Sequence, residues 1–212
     1  MPKPETLTSI ETISGKFFDL ANPKAKDVDL HDIYLGLERE WRFSNQINMN
    51  PSWRTVPTVA LHCVFTQYIM TMFYPIENSL MMLHALLHDA HEGYMGDIST
   101  PLKITIGNNR VNEIADGIDV AIYEKLGLPL PTGKEKDIIK KADRISLKIE
   151  ASLYLPSEGS WCMEEIGDKK NELRKYIVDR LMMSTGSQWM ASVQYFLGEY
   201  RKSVRKNIQK IA

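Results

Sequence analysis

The residues best equipped for chemistry lie between His84 and Lys103, in the stretch HALLHDAHEGYMGDISTPLK. Three of the chain's five histidines fall here (His84, His88 and His91), with acids at Asp89, Glu92 and Asp97. Imidazoles and carboxylates at this density point to a divalent metal site, and the closing Lys103 to a rim that meets phosphate. His88 and Asp89 are consecutive, so on a helix their side chains diverge by about 100°. Both reach one ion only if it sits in a notch between helices and takes further ligands from other elements. His62, beside an apolar helical face, and Asp143, set among apolar positions, are the candidates. An unpaired buried carboxylate is costly, so Asp143 is expected to ligate or to pair. Two imidazoles with two carboxylates suit Mn, Fe, Co, Zn or Mg rather than a thiolate-selected ion. Such an ion lowers the pKa of coordinated water and polarises a phosphoryl oxygen.

Other residues would turn a metal site into a phosphate site. Glu92 lies one turn beyond His88, on the same helical face, placed to orient or deprotonate water without ligating. Asp97, just past Gly93 and Gly96 where the helix is expected to stop, can do the same or hold a substrate hydroxyl. Lys103 and Arg42, with Arg39 and Arg54, are cations able to hold phosphate oxygens. Trp41 or Phe43 either packs on a base or sugar or belongs to the core. His84 and His88 are spaced i, i+4, but the H-E-x-x-H pattern is absent, so His84 reads as a core or supporting residue and His91 as peripheral. His31-Asp32 reads as helix-start chemistry and Cys63 as a small buried side chain. The basic run Arg201, Lys202, Arg205, Lys206 and Lys210 reads as the solvated face of a last helix.

These residues need elements to position them. Residues 1–29 carry Pro2, Pro4 and Pro23 without sustained apolar periodicity and are expected to be an irregular arm. Asp29 is a candidate N-cap for a helix from about His31. Ser44 to Pro57, rich in Asn, Ser and Pro, reads as a loop. Leu61, Val64, Phe65, Tyr68, Ile69 and Met72 recur at helical spacing over Thr58–Phe73, and Pro75 breaks that helix. The central helix follows, turning through Thr100-Pro101. Val111, Ile114, Ile118, Ile122 and Leu126 predict another helix, ended by Gly127 and Pro129. Glu135–Leu155 predicts a helix with Asp143 among its inward residues, and segments near 170–184 and 187–211 complete the chain. No alternating β-rich runs or long repeats occur. The expected fold class is all-α.

Composition narrows the function classes. The 212 residues most simply form one domain: an arm at 1–29, a metal-binding core at 30–155 and C-terminal helices at 156–212. A net charge of −1 offers no global basic field for nucleic acid. Cys63 and Cys162 are far apart and lack C-x-x-C partners, which excludes a zinc ribbon or disulfide framework and suits a reducing cytoplasm. There is no signal-like sequence and no apolar run of membrane length.

His62, then His88-Asp89, then Asp143 within KADRISLKIEA resemble the H…HD…D signature of the HD-domain phosphohydrolases. HDAHEGYMGDISTPLK further resembles the matching run of bacterial 5′-deoxynucleotidases and of phage and prophage HD hydrolases, some of which dephosphorylate dATP to the nucleoside. SGKFFDL and DIYLGLEREWRF resemble the phage and prophage branch, so the likeness covers roughly residues 12–153. It implies a helical bundle and one divalent ion (Co, Mn, Zn, Mg or Fe) on His62, His88, Asp89 and Asp143. It also implies catalytic roles for Glu92 and Asp97 and substrate contact by Arg42 and Phe43. Two departures fall near the expected substrate pocket: Pro57-Thr58-Val59-Ala60-Leu61 before the first ligand, and a longer loop from Ser44 to Arg54. Base preference and phosphate number therefore do not carry over. The expected function is metal-dependent removal of phosphate or polyphosphate from deoxynucleotides (dNMP or dNTP), with Lys103 and Trp41 among the substrate residues. In-line attack at the α-phosphorus accounts for both outcomes. Cytoplasmic location, host cytoplasm for a phage-encoded chain, and a homo-oligomer accord with this reading. Its rivals are a catalytically silent nucleotide- or nucleic-acid-binding module, against which the non-ligand acids Glu92 and Asp97 argue, and a hydrolase of guanosine tetraphosphate.

Overall fold

The computed structural model describes residues 7–48, 56–74, 78–160, 169–181 and 188–211. Arg54, Pro75 and Cys162 lie outside the described residues. The fold is all-α with a single small two-stranded sheet among the described residues. By contact it divides into two compact units, Met1–Asn45 with Asp89–Leu130, and Gln46–His88 with Pro131–Ala212. The chain thus leaves the second unit for the first between His88 and Asp89.

The first unit opens with an antiparallel hairpin, β1 (Ser9–Glu11) and β2 (Phe17–Asp19), with Ile10 opposite Phe18. This corrects the expectation of an irregular arm: strands of three residues are too short to display alternation. The hairpin is anchored from both sides. Phe18 is fully buried and stacks on Tyr94 with ring centroids 3.9 Å apart. Ser14 donates through its backbone N–H and its hydroxyl to the buried Asp32, at 2.8 and 2.7 Å. Asp32 therefore tethers the hairpin to α1 (Leu30–Arg39), whose N-cap is Asp29, accepting from the His31 N–H at 2.9 Å.

Next in this unit come α4 (Glu92–Met95), α5 (Thr100–Ile106) and α6 (Asn108–Leu126). The expectation that Gly93 stops a helix is wrong. Gly93 lies inside α4, where its backbone meets Gly36 of α1 so closely that a Cβ on Gly36 would sit 2.1 Å from the Gly93 carbonyl oxygen. The helix ends instead at Gly96, whose φ of +79° is open to glycine at little cost. Thr100-Pro101 is likewise the first turn of α5 rather than a bend, because proline at the start of a helix loses no hydrogen bond. Gly127 caps α6 in the left-handed conformation, as its position before Pro129 predicts.

The second unit is built on α2 (Val59–Phe73), which is apolar nearly all round, as befits a helix surrounded by others. It packs on α3 (Ser79–Leu87), α7 (Gly133–Tyr154) and α9 (Gln188–Ile211), while α8 (Lys170–Tyr176) packs on α7. Local chemistry starts each of the first three. The Thr58 hydroxyl accepts from the Leu61 N–H, the Asn78 side chain accepts from the Leu80 N–H, and Thr132 with Glu135 forms a reciprocal capping box. Trp189 of α9 is fully buried and donates its indole N–H to the Leu86 carbonyl at 2.7 Å. Leu86 lies in the last turn of α3, where carbonyls lose their intrahelical donors, so this bond finishes the helix that delivers His88. No helix among the described residues is long and apolar enough to cross a membrane.

Candidate metal centre

The helix α3 ends at Leu87, with His88 as its C-cap and a turn through Asp89–His91. His88 and Asp89 therefore do not share a regular helix, contrary to expectation, and neither do His88 and Glu92.

Within the second unit, His62 from α2, His88 and Asp143 from α7 each offer a ligand atom, all within 4.8 Å of one another, and can hold a metal ion. His62 Nε2 lies 3.1 Å from Asp143 Oδ1 and 3.3 Å from His88 Nε2. Their other nitrogens are committed elsewhere. His88 Nδ1 donates to the Ala85 carbonyl at 2.8 Å, an assignment forced because a carbonyl cannot donate. His62 Nδ1 faces the Glu150 carboxylate at 3.1 Å and the Ser146 hydroxyl at 3.0 Å. With hydrogen on both Nδ1 atoms, two Nε2 lone pairs and a carboxylate oxygen converge, a set that suits a cation. A divalent ion of borderline softness therefore fits the donors present. His62 is fully buried, while the Asp143 side chain is 36% exposed, so the cluster has a wet side.

Sequence reasoning missed Glu150 and Ser146. Asp143, Ser146 and Glu150 are spaced i, i+3 and i+7, which places all three on one face of α7, and two extra polar residues on an otherwise apolar stripe were the available signal.

The first unit gathers a different set. Asp89, His91 and Glu92 each offer a ligand atom within 4.8 Å of the others. Arg42, only 9% exposed, lies 4.0 Å from Asp89, and Lys103 of α5 lies 4.0 Å from Glu92. Glu92 is 6% exposed, and its Oε2 is buried with no hydrogen-bond partner among the described residues. Burial, then the charges of Asp89 and Asp97, push its pKa well up, against the pull of Arg42 and Lys103. His91 is buried, and its Nδ1 lies 3.1 Å from Asp119 of α6. Burial acts to lower the His91 pKa, but its hydrogen bond and charge interaction with Asp119, then Asp89, outweigh it and raise the value. Burial raises the Asp119 carboxyl, and the His91 hydrogen bond draws it partly back. Asp97 lies between α4 and α5, where its backbone donates to the Glu40 side chain.

The remaining predicted residues are placed as follows. Trp41 is 39% exposed and so is not core. Arg42 rests 5.7 Å over the Phe43 ring, and Phe43, Ser44 and Asn45 all have positive φ (59°, 51° and 62°), a strained run for residues other than glycine. His84 is buried in α3 as a core residue, with burial lowering its pKa. Cys63 is buried too.

No family model matches the chain. It is 34% identical over 141 residues to an uncharacterized Rhodobacter capsulatus protein, covering 66% of this chain and 69% of that one. It is 31% identical over 144 residues to the uncharacterized protein YfdR of Escherichia coli, covering 68% of this chain and 71% of YfdR. The chain belongs to one family with these two proteins. Their names state no activity.

Proposed function

We propose that this chain is a divalent-metal-dependent phosphohydrolase of the HD-domain type, removing phosphate or polyphosphate from deoxynucleotides. The observation that carries the reading is the convergence of His62 Nε2, His88 Nε2 and the Asp143 carboxylate, with both Nδ1 atoms already committed. Those three residues, with Asp89 as the fourth ligand implied by the resemblance, would hold the ion. When bound, the ion supplies Lewis acidity towards a phosphoryl oxygen and acidifies water.

The chain's own residues have separate tasks. Glu92, with its raised proton affinity and a buried oxygen that has no hydrogen-bond partner among the described residues, is suited to accept and release a proton. Asp97, its backbone held by Glu40, positions water or a substrate hydroxyl. Arg42 and Lys103 stand 4.0 Å from Asp89 and Glu92, and each is a cation able to hold phosphate oxygens. Trp41 offers an exposed aromatic face for a base or sugar.

The test is phosphate or polyphosphate release from a panel of dNMPs, dNTPs and their ribose counterparts, with Mn, Co or Mg. The expected result is hydrolysis that EDTA abolishes and that Asp143→Ala reduces by at least about 100-fold, since losing even a partner behind a ligand costs roughly 10–100-fold. Release no faster than that of Asp143→Ala on every substrate would sink the hydrolase reading.

A further inference from the structure

We propose that Glu150, assisted by Ser146, is the positioning residue that makes His62 a metal ligand. The inference rests on the metal reading of His62, His88 and Asp143, but not on any choice of substrate. His62 has two faces in this structure. Nε2 points at Asp143 and His88, at 3.1 and 3.3 Å, and Nδ1 points at Glu150, at 3.1 and 3.3 Å to its two oxygens. An ionised carboxylate only accepts, so the proton belongs on Nδ1 and the lone pair on Nε2. The Ser146 hydroxyl, 3.0 Å from the same nitrogen, holds the ring from a second direction. Ser146 is fully buried and Glu150 only 4% exposed, so the ring is held where water does not compete.

Charge gives the arrangement its sense. A buried carboxylate against a neutral imidazole is expensive unless a positive charge compensates it. With both acids ionised and both imidazoles presenting lone pairs, a divalent cation at the Nε2 atoms balances the charge of the cluster. A carboxylate behind a ligating histidine fixes the tautomer and ring orientation and strengthens the ligand. Glu150 thereby favours ions that bind nitrogen well, such as Co or Zn, over Mg, which prefers oxygen and retains its water.

The experiment uses the full chain, stripped of metal with a chelator and titrated with Co(II). Affinity is read by competition with a chromophoric chelator, and ligand geometry by the Co(II) visible absorption bands. Glu150→Gln keeps an acceptor for the Nδ1 hydrogen but removes the charge, and is expected to weaken Co(II) binding by roughly 10-fold. Glu150→Leu removes both and is expected to weaken it by roughly 100-fold, with an altered Co(II) spectrum. Thermal melts of the metal-free proteins separate these losses from destabilisation, which alone would leave the affinity of folded protein unchanged. Co(II) affinity and spectrum unchanged in Glu150→Leu, or in Glu150→Gln where the leucine variant does not fold, would overturn the role of Glu150. Co(II) binding by His88→Ala as tight as that of the wild type would overturn the metal reading itself, and this inference with it.

Discussion

Replacing Gly36 by alanine is expected to destabilise the protein by about 2 kcal/mol. The added Cβ would lie 2.1 Å from the Gly93 carbonyl oxygen and 2.8 Å from the Gly93 carbonyl carbon and Cα. An ordinary carbon–oxygen contact is about 3.3 Å or more, so α1 and α4 must part by roughly 1 Å. Both sides of the clash are backbone, and no side chain can turn away to relieve it. Overpacking of this kind typically costs about 1–3 kcal/mol, and a backbone clash belongs at the upper end. Alanine in a helix interior gains about 1 kcal/mol over glycine, which leaves the net loss near 2. For a chain of this size that is a fall in Tm of roughly 4–8 °C. Thermal melts followed by circular dichroism provide the measurement, and Gly198→Ala on α9 provides the control. Nothing lies within 4 Å of a Cβ at Gly198, so there alanine should stabilise by up to about 1 kcal/mol. Gly93→Ala meets Ile33 backbone at 2.9 and 3.0 Å and should lose less than Gly36→Ala. The double variant should fall short of the sum, because both methyl groups wedge the same contact. A Gly36→Ala protein as stable as Gly198→Ala would refute the packing argument.

Glu92→Gln should stabilise the metal-free protein at neutral pH. A carboxyl whose folded pKa is raised contributes stability that is full below its unfolded pKa and lost as pH rises through the folded one. The advantage of the glutamine variant should therefore grow from about pH 4.5 upward and vanish below it, as urea midpoints across that range would reveal. A difference independent of pH would count against the buried, charge-crowded environment assigned to Glu92. Trp189→Phe keeps most of the buried ring but strands the Leu86 carbonyl, and should cost about 1–3 kcal/mol in urea denaturation. An unchanged midpoint would mean that the bond does not finish α3.

Much of this protein was legible from residues close together in the chain. Asp29, Thr58 and Gly127 mark helix ends because capping is a bond between neighbours, and the apolar spacing of 61–72 and 111–126 announces helices because burial of a face repeats every turn. His62, His88 and Asp143 stood out because such residues are costly on apolar faces without a partner. What the chain could not announce was which distant residues meet. The contact of Gly36 with Gly93 exists only because α1 and α4 pack backbone to backbone, and no local pattern distinguishes such a glycine from one that ends a helix. The hairpin at Ser9–Asp19 is too short for a period and is held by Asp32 and Tyr94 from later in the chain. Glu150 looked like one more acid on a long helix until α2 packed against α7 and brought it to His62 Nδ1. Residue types determined that this chain had the means to bind a cation. Only the packing of α2, α3 and α7 decided which nitrogen of each ring faces inward, because that depends on what stands behind the ring.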